Sequence, residues 1–388
     1  MDFSQPHSLT ALYKMATPMF LGGEGQLTDS QKFRNASFKG ALRFWWRALN
    51  WGRVLKESSG DTTGALKALH DQEGALFGLA NDGQNSCQSM LSIHATLQDV
   101  KLQQPREALK ELGYLLGQGL YKTGITRPYL EGGTVQVLLQ FKPGTPPAQV
   151  QAVRQAATAL GLLGGLGSRA RRGLGSLSLQ SITGADGGVQ TFTGMQQIQD
   201  FIATLDFSAP GSPPFSALSQ TSRIDVSAHG DTAVGILAAI NTEMQLYRSY
   251  GQNGKVNGQE ARRNFVADHD NVLAATQGRP LAQLPERAVF GLPHNYFFSS
   301  TKAKADINPA GEGRRASPLL IHIHVLDGGK FVAIQTLLPG VFLPQGMAVD
   351  VKTRAKQSLT NTSVDYAVIG RYLDGFGKRS TLRAPQRG

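Results

Sequence analysis

The chain has 388 residues, with 39 Lys or Arg against 28 Asp or Glu, a formal charge of +11 at neutral pH. That length suits two domains with cores of ordinary size, and the basic balance favours a polyanionic partner, nucleic acid ahead of an acidic membrane surface. The single cysteine, Cys87, excludes a disulfide framework or a cysteine-based zinc or iron–sulfur centre and fits a reducing cytoplasm. No apolar run approaches the roughly 20 residues that cross a bilayer, and Met1–Lys14 lacks the basic and apolar regions of an export signal.

In chain order, Leu9–Phe20 reads as a first strand, followed by a glycine-bearing connector, Leu21–Thr28. A helix is expected from Phe38 to about Asn50, with Ser37 as its N-cap. Met90–Leu97 and Thr134–Phe141 alternate apolar and polar residues and read as strands. Pro146-Pro147 opens a helix whose apolar stripe of Val150, Val153, Ala157, Leu160 and Leu163 stops at Gly164-Gly165. A fourth strand begins at Leu177 and is short, because the alternation lapses at Ser181 and Ile182. The order β-α-β-β-α-β is the split pattern of a ferredoxin-like domain, with residues 99–133 as an insertion.

Turn formers between Gly184 and Pro214 suggest a boundary, giving domains over 1–190 and 191–388. The second half offers a helix over Thr232–Tyr250 and a polar stretch, Gln252–Gln259. Beyond them come a hairpin of Leu319–Leu326 and Lys330–Leu338 around Asp327-Gly328-Gly329, and a short helix near Asp365–Leu373. A second domain of the same α+β class is compatible with these elements.

Two segments carry cations in a pattern suited to RNA. On the helix in SFKGALRFWWRALN, Phe38, Ala41, Leu42, Trp45 and Leu49 form a core stripe, while Lys39, Arg43, Trp46, Arg47 and Asn50 fall on another face. Cations interleaved with an indole suit phosphate neutralisation and base stacking; a solvated face with Trp46 capping the core is the alternative. The loop GGLGSRARRGLGS combines Gly164, Gly165, Gly167, Gly173 and Gly175 with Ser168, Arg169, Arg171 and Arg172. Glycines let backbone N–H groups approach a phosphate, and the arginines add cationic forks; a flexible turn with incidental arginines is the plainer reading. A partial dinucleotide fingerprint within it is rejected, because here a helix precedes and a strand follows. Arg314 and Arg315 precede a strand, where they either meet a phosphate or only flank an edge.

Histidines are the candidates for general acid–base work. His322 and His324 lie two apart on a strand expected to be half exposed, His94 is alone in a strand, and Asp268-His269-Asp270 lacks a further ligand at metal spacing. No catalytic residue, metal or cofactor is expected.

TPMFLGG at Thr17–Gly23, RNASFKGALRFWWRAL at Arg34–Leu49 and EGALFG at Glu73–Gly78 resemble the first RAMP subunit of the type III-B, or Cmr, CRISPR effector complex. GLGSRARRGLGS resembles the glycine-rich loop of RAMP proteins, and FGLP with RRASPL resembles that subunit's C-terminal half. The resemblance implies two ferredoxin-like, RRM-related domains and a noncatalytic subunit holding the 3′ portion of the guide RNA. Target RNA and the other RAMP subunits would be its partners, with cutting left to other chains. It implies RNA contacts by Lys39, Arg43, Trp46 and Arg47, by the 164–175 loop, and by Arg314 and Arg315. The rival is a metal-independent RAMP endoribonuclease processing guide precursors, with His94 or His322 as acid or base.

Overall fold

Four strands build the first sheet, three of them with alternating burial: β1 (Ser8–Met15), β2 (Leu91–Gln98) and β3 (Thr134–Phe141), joined by β4 (Leu177–Gly184), whose first three residues are all buried. The chain is described by a computed structural model over residues 7–22, 33–80, 86–250, 254–311, 313–353 and 356–386. The sheet is antiparallel in the order β2-β3-β1-β4, extended past β4 by Val189–Thr191. β4 reaches Gly184, further than its alternation suggests. Opposite Leu12 and Tyr13 of β1 the register steps from Ser181 to Leu179, so a bulge at Gln180 changes which residues point inward.

Helix α1 (Asn35–Glu57) is longer than expected in both directions, and at its C-terminal end Trp51, Val54 and Leu55 continue the buried stripe. Its N-cap position is Arg34, which makes no side-chain cap, so Ser37 sits inside the first turn rather than at the cap. A helix absent from the sequence reading follows: α2 (Thr62–Phe77), whose first N–H groups, on Thr63 and Gly64, donate to the carboxylate of Asp61. Helix α3 (Pro147–Leu163) connects β3 to β4. The 99–133 insertion forms a ribbon of Lys101–Gln103 with Tyr129–Glu131 and a one-turn helix, Gly113–Leu116. Part of the Leu21–Thr28 connector, and Gln252 and Asn253 of the polar stretch, lie outside the described residues.

The second half runs α4 (Met195–Ala203), β5 (Arg223–Gly230), α5 (Ala233–Arg248) and α6 (Val266–Thr276), then β6 (His294–Phe297) and β7 (Lys304–Pro309). It continues with β8 (Leu319–Val325), β9 (Phe331–Leu337), β10 (Val349–Lys352), β11 (Lys356–Leu359), α7 (Ala367–Asp374) and β12 (Ser380–Arg383). One sheet has the order β8-β9-β5-β12 and a second the order β6-β7-β10-β11. Counting β5, β8, β9 and β12 as first to fourth, the strand order of the first sheet recurs, with the β6-β7-β10-β11 sheet inserted into it.

The halves meet along the edge of β8, all seven of whose residues are buried. Its outward N–H groups are satisfied by side chains of the first half: Ile323 N donates to Ser176 Oγ at 3.0 Å and Val325 N to Ser178 Oγ at 2.8 Å. An otherwise unpaired sheet edge is thereby closed. Apolar packing is continuous across this seam, from Leu160 and Leu163 of α3 to Ile224, Val226 and Ile334.

Candidate nucleic-acid interface

On α1 two of the expected cations share a protein counter-charge. Arg43 Nε and Arg47 Nη1 both lie 2.5 Å from Glu73 Oε1, a carboxylate of α2 that is itself buried. Two partly exposed guanidinium groups therefore neutralise a charge that would be expensive to leave unpaired. Trp46 is 3% exposed and packs edge-on against Phe77 of α2, 6.1 Å between ring centroids. Its ring has no face to offer a base, which corrects the stacking role expected of it. Lys39, half-buried, has its pKa lowered by burial and by Arg43.

In the glycine-rich loop several backbone N–H groups are committed to protein carbonyls: Leu166 N to Gly175 O at 2.9 Å, Ser168 N to Phe20 O at 2.9 Å and Gly175 N to Pro18 O at 2.8 Å. Glycine is needed for close packing. Gly175 has φ +64°, and a Cβ there would lie 1.9 Å from Leu166 O; Gly167 has φ +93°, with Phe20 O at 2.6 Å from a Cβ. Gly164, Gly165 and Gly173 are likewise hemmed in, by Trp45, by the Leu174 and Gly175 carbonyls, and by Leu237 and Ile321. Much of the loop backbone is thus bound into the fold, and its arginine side chains extend from it.

Those side chains reach both protein and cavity. Arg169 Nε donates to Leu116 O at 2.9 Å, and Arg172 Nη1 to Tyr114 O and Leu115 O at 3.1 and 3.3 Å, capping the one-turn helix of the insertion. Arg171 Nη1 donates to Ser317 O across the seam, and its guanidinium stands 5.1 Å from the Phe44 ring centroid on α1. Burial, then Arg315, lowers Arg171 to about 10; burial, then Arg248 and Arg169, lowers Arg172 to about 10.

The structure brings this loop to Arg314 and Arg315. A cavity of about 750 Å³ is lined by Arg169, Arg171, Arg172, Arg248, Arg314 and Arg315, with no carboxylate among the described lining residues. The turn Phe290-Gly291-Leu292-Pro293 forms its opposite wall, tied to the arginine segment by Leu292 N to Arg315 O at 2.8 Å and Arg315 N to Leu292 O at 3.0 Å. Arg315 Nε and Nη2 are shielded from solvent and have no hydrogen-bond partner among the described residues. Six like charges in one cavity have the chemistry that suits phosphate oxygens, which guanidinium groups bind through paired hydrogen bonds. Arg248, in the last turn of α5, and His294, at the start of β6, belong to this wall and were missed in the sequence.

The histidine pair is sealed in the seam, not half exposed. Both His322 and His324 are fully buried: His322 Nδ1 is 2.6 Å from Gly164 O, His324 Nε2 is 2.6 Å from Phe192 O, and His324 Nδ1 is 3.1 Å from Ser178 Oγ. Burial, reinforced by His324, lowers His322 to about 3, and burial lowers His324 to about 4. Asp268 is structural too, accepting Glu286 N and Arg287 N at 2.9 Å each. Among the described residues no cluster of three or more His, Cys, Asp or Glu could hold a metal, and no helix is long and apolar enough to cross a membrane.

Residues 13–178, from β1 through the glycine-rich loop into β4, match the RAMP superfamily. The whole chain has the fold of Cmr1 from Pyrococcus furiosus in its apo form, at 18% identity over 98% of this chain and 99% of that one, with a TM-score of 0.56. It is similar also to a chain in the structure of the Type III-B Cmr-beta bound to cognate target RNA, at 11% identity over 96% and 99% of the two chains and a TM-score of 0.54. No curated protein matches by sequence.

Proposed function

We propose that this chain is a noncatalytic RNA-binding subunit of a type III-B CRISPR ribonucleoprotein, acting in the cytoplasm beside other RAMP subunits. In this reading the arginine cavity holds the sugar–phosphate backbone of the 3′ portion of the guide RNA or of the target RNA. The observation that carries it is the convergence, in one cavity, of six arginines from both halves with no described carboxylate. Arginines gathered in this way are costly in the absence of an anion and are compensated by phosphates, whose binding displaces condensed counterions. The likeness to Cmr1, and the repeated strand order that supports two ferredoxin-like domains meeting at β4 and β8, agree with it. Cleavage through His322 is disfavoured because that residue is sealed from solvent, which leaves only His94, exposed on β2, to the rival reading.

The test is anisotropy of labelled single-stranded RNA across a salt series. Replacing Arg314 and Arg315 by Ala should weaken binding to every sequence and reduce the slope of log K against log salt by about 0.7 per lost phosphate contact. An unchanged slope would remove the cavity from the RNA path.

A further inference from the structure

Strand β6 carries the wall of the arginine cavity onward. Its first residues, His294 and Asn295, line that cavity; Asn295, together with Tyr296 and Phe297, also lines an adjoining cleft of about 340 Å³. The two spaces share a wall. Beneath the cleft the rings form a continuous packed series. His294 stacks on Tyr296 at 4.8 Å between centroids, Tyr296 on Phe298 at 6.1 Å, Phe298 meets His269 edge-on at 5.1 Å, and His269 stacks on Tyr250 at 4.5 Å. The Arg287 guanidinium lies 4.6 Å over the Tyr296 ring.

Phe297 stands outside this series. It is 61% exposed, on a strand at the edge of its sheet that pairs with β7. Asn295, two residues away, shares its outward face. An exposed phenyl ring beside a carboxamide, on a rigid strand leading out of a cationic cavity, matches the two ends of a nucleotide. The cavity suits the phosphate, and the ring and amide suit the face and edge of a base.

We infer that this cleft seats an unpaired nucleobase of the strand whose phosphates occupy the arginine cavity, with Phe297 as its stacking platform and Asn295 at its edge. The inference rests on the RNA-binding role proposed above and adds a base subsite to it. Charge decides the occupant: the neighbouring cavity is cationic on every described charged side chain, which suits a polyanion rather than an apolar protein segment.

The test uses the full chain and single-stranded RNA bearing 2-aminopurine at successive positions. Binding should quench the probe at one position, and Phe297→Ala should abolish that quenching and cost about tenfold in affinity without altering the salt slope, since stacking releases no counterion. Phe297→Trp should preserve affinity and have its own emission quenched by RNA, whereas Phe297→Leu should behave like Phe297→Ala. If Phe297→Ala or Phe297→Leu binds RNA like the wild type while the Arg314 and Arg315 replacements still weaken binding, the base subsite alone is overturned. If neither set affects binding, the RNA reading of the cavity falls with it. Unchanged RNA affinity accompanied by weaker association with a partner subunit would assign Phe297 to a protein contact and overturn the base subsite.

Discussion

The α1 face and the arginine cavity present similar residue types, but only the first has a counter-charge built into it. On α1, Arg43 and Arg47 share the buried carboxylate of Glu73, and Trp46 lies against Phe77. In the cavity, Arg314 and Arg315 meet the arginines of the glycine-rich loop with no described carboxylate between them. Basic residues interleaved with an aromatic are thus no guide to a nucleic-acid surface until their counter-charges are located. A cation already paired gives a polyanion little to neutralise; one held among other cations gives much.

Substitutions can break or sharpen that contrast. The largest effect is expected from Trp46→Ala, which should destabilise the fold by about 3–5 kcal/mol through loss of a buried indole, measured by denaturant unfolding, while folded molecules keep their RNA affinity. A loss of affinity without a loss of stability would restore Trp46 as an RNA contact. Next, Arg43→Gln with Arg47→Gln should leave the RNA salt slope intact, whereas Arg314→Ala with Arg315→Ala should lower it. Equal slopes for the two pairs would erase the distinction. Alanine at Arg169, Arg171 and Arg172 is a less clean probe, because Arg169 and Arg172 also hold the insertion through Tyr114, Leu115 and Leu116, and Arg171 reaches Ser317 across the seam.

Acid tests the seam itself, through a pH dependence of stability. His322 and His324 have folded-state values of about 3 and about 4, below the ordinary 6.5, so between those values and 6.5 the unfolded chain binds more protons than the folded one. Their contribution is fully present above pH 6.5 and is lost as pH falls toward 4 and then 3. Urea midpoints across that range should decline with acid, and His324→Gln should decline less steeply. Parallel decline in the two proteins would show that other groups set the acid limit.

The strands were the legible part of the fold: Thr134–Phe141, whose burial alternates, appears with its expected bounds, and the hairpin around Asp327–Gly329 appears with its first strand one residue shorter at its C-terminal end and its second one residue shorter at each end. Helix α2 was not legible, and its absence misled the reading of α1. A helical wheel placed Trp46, Arg43 and Arg47 on an outer face, but α2 covers that side and contributes both Phe77 and Glu73. The cavity was half legible. Its loop and its Arg314-Arg315 pair stand out as local patterns, but their meeting depends on contacts between residues about 140 apart, and Arg248 and His294 have no local signature. The buried pair His322 and His324 shows the same limit, since only the side chains of Ser176 and Ser178 reveal that the edge of β8 is covered.

The shared ownership of the cavity has a practical side. One wall comes from the loop before β4, the other from the end of α5, the turn at 290–293 and the segment before β8. Neither half is a smaller edition of the whole. On the proposed reading, a minimal RNA-binding fragment would sever the feature being sought, and a hybrid joining halves from two relatives would inherit a mismatched cavity even if each half folded perfectly.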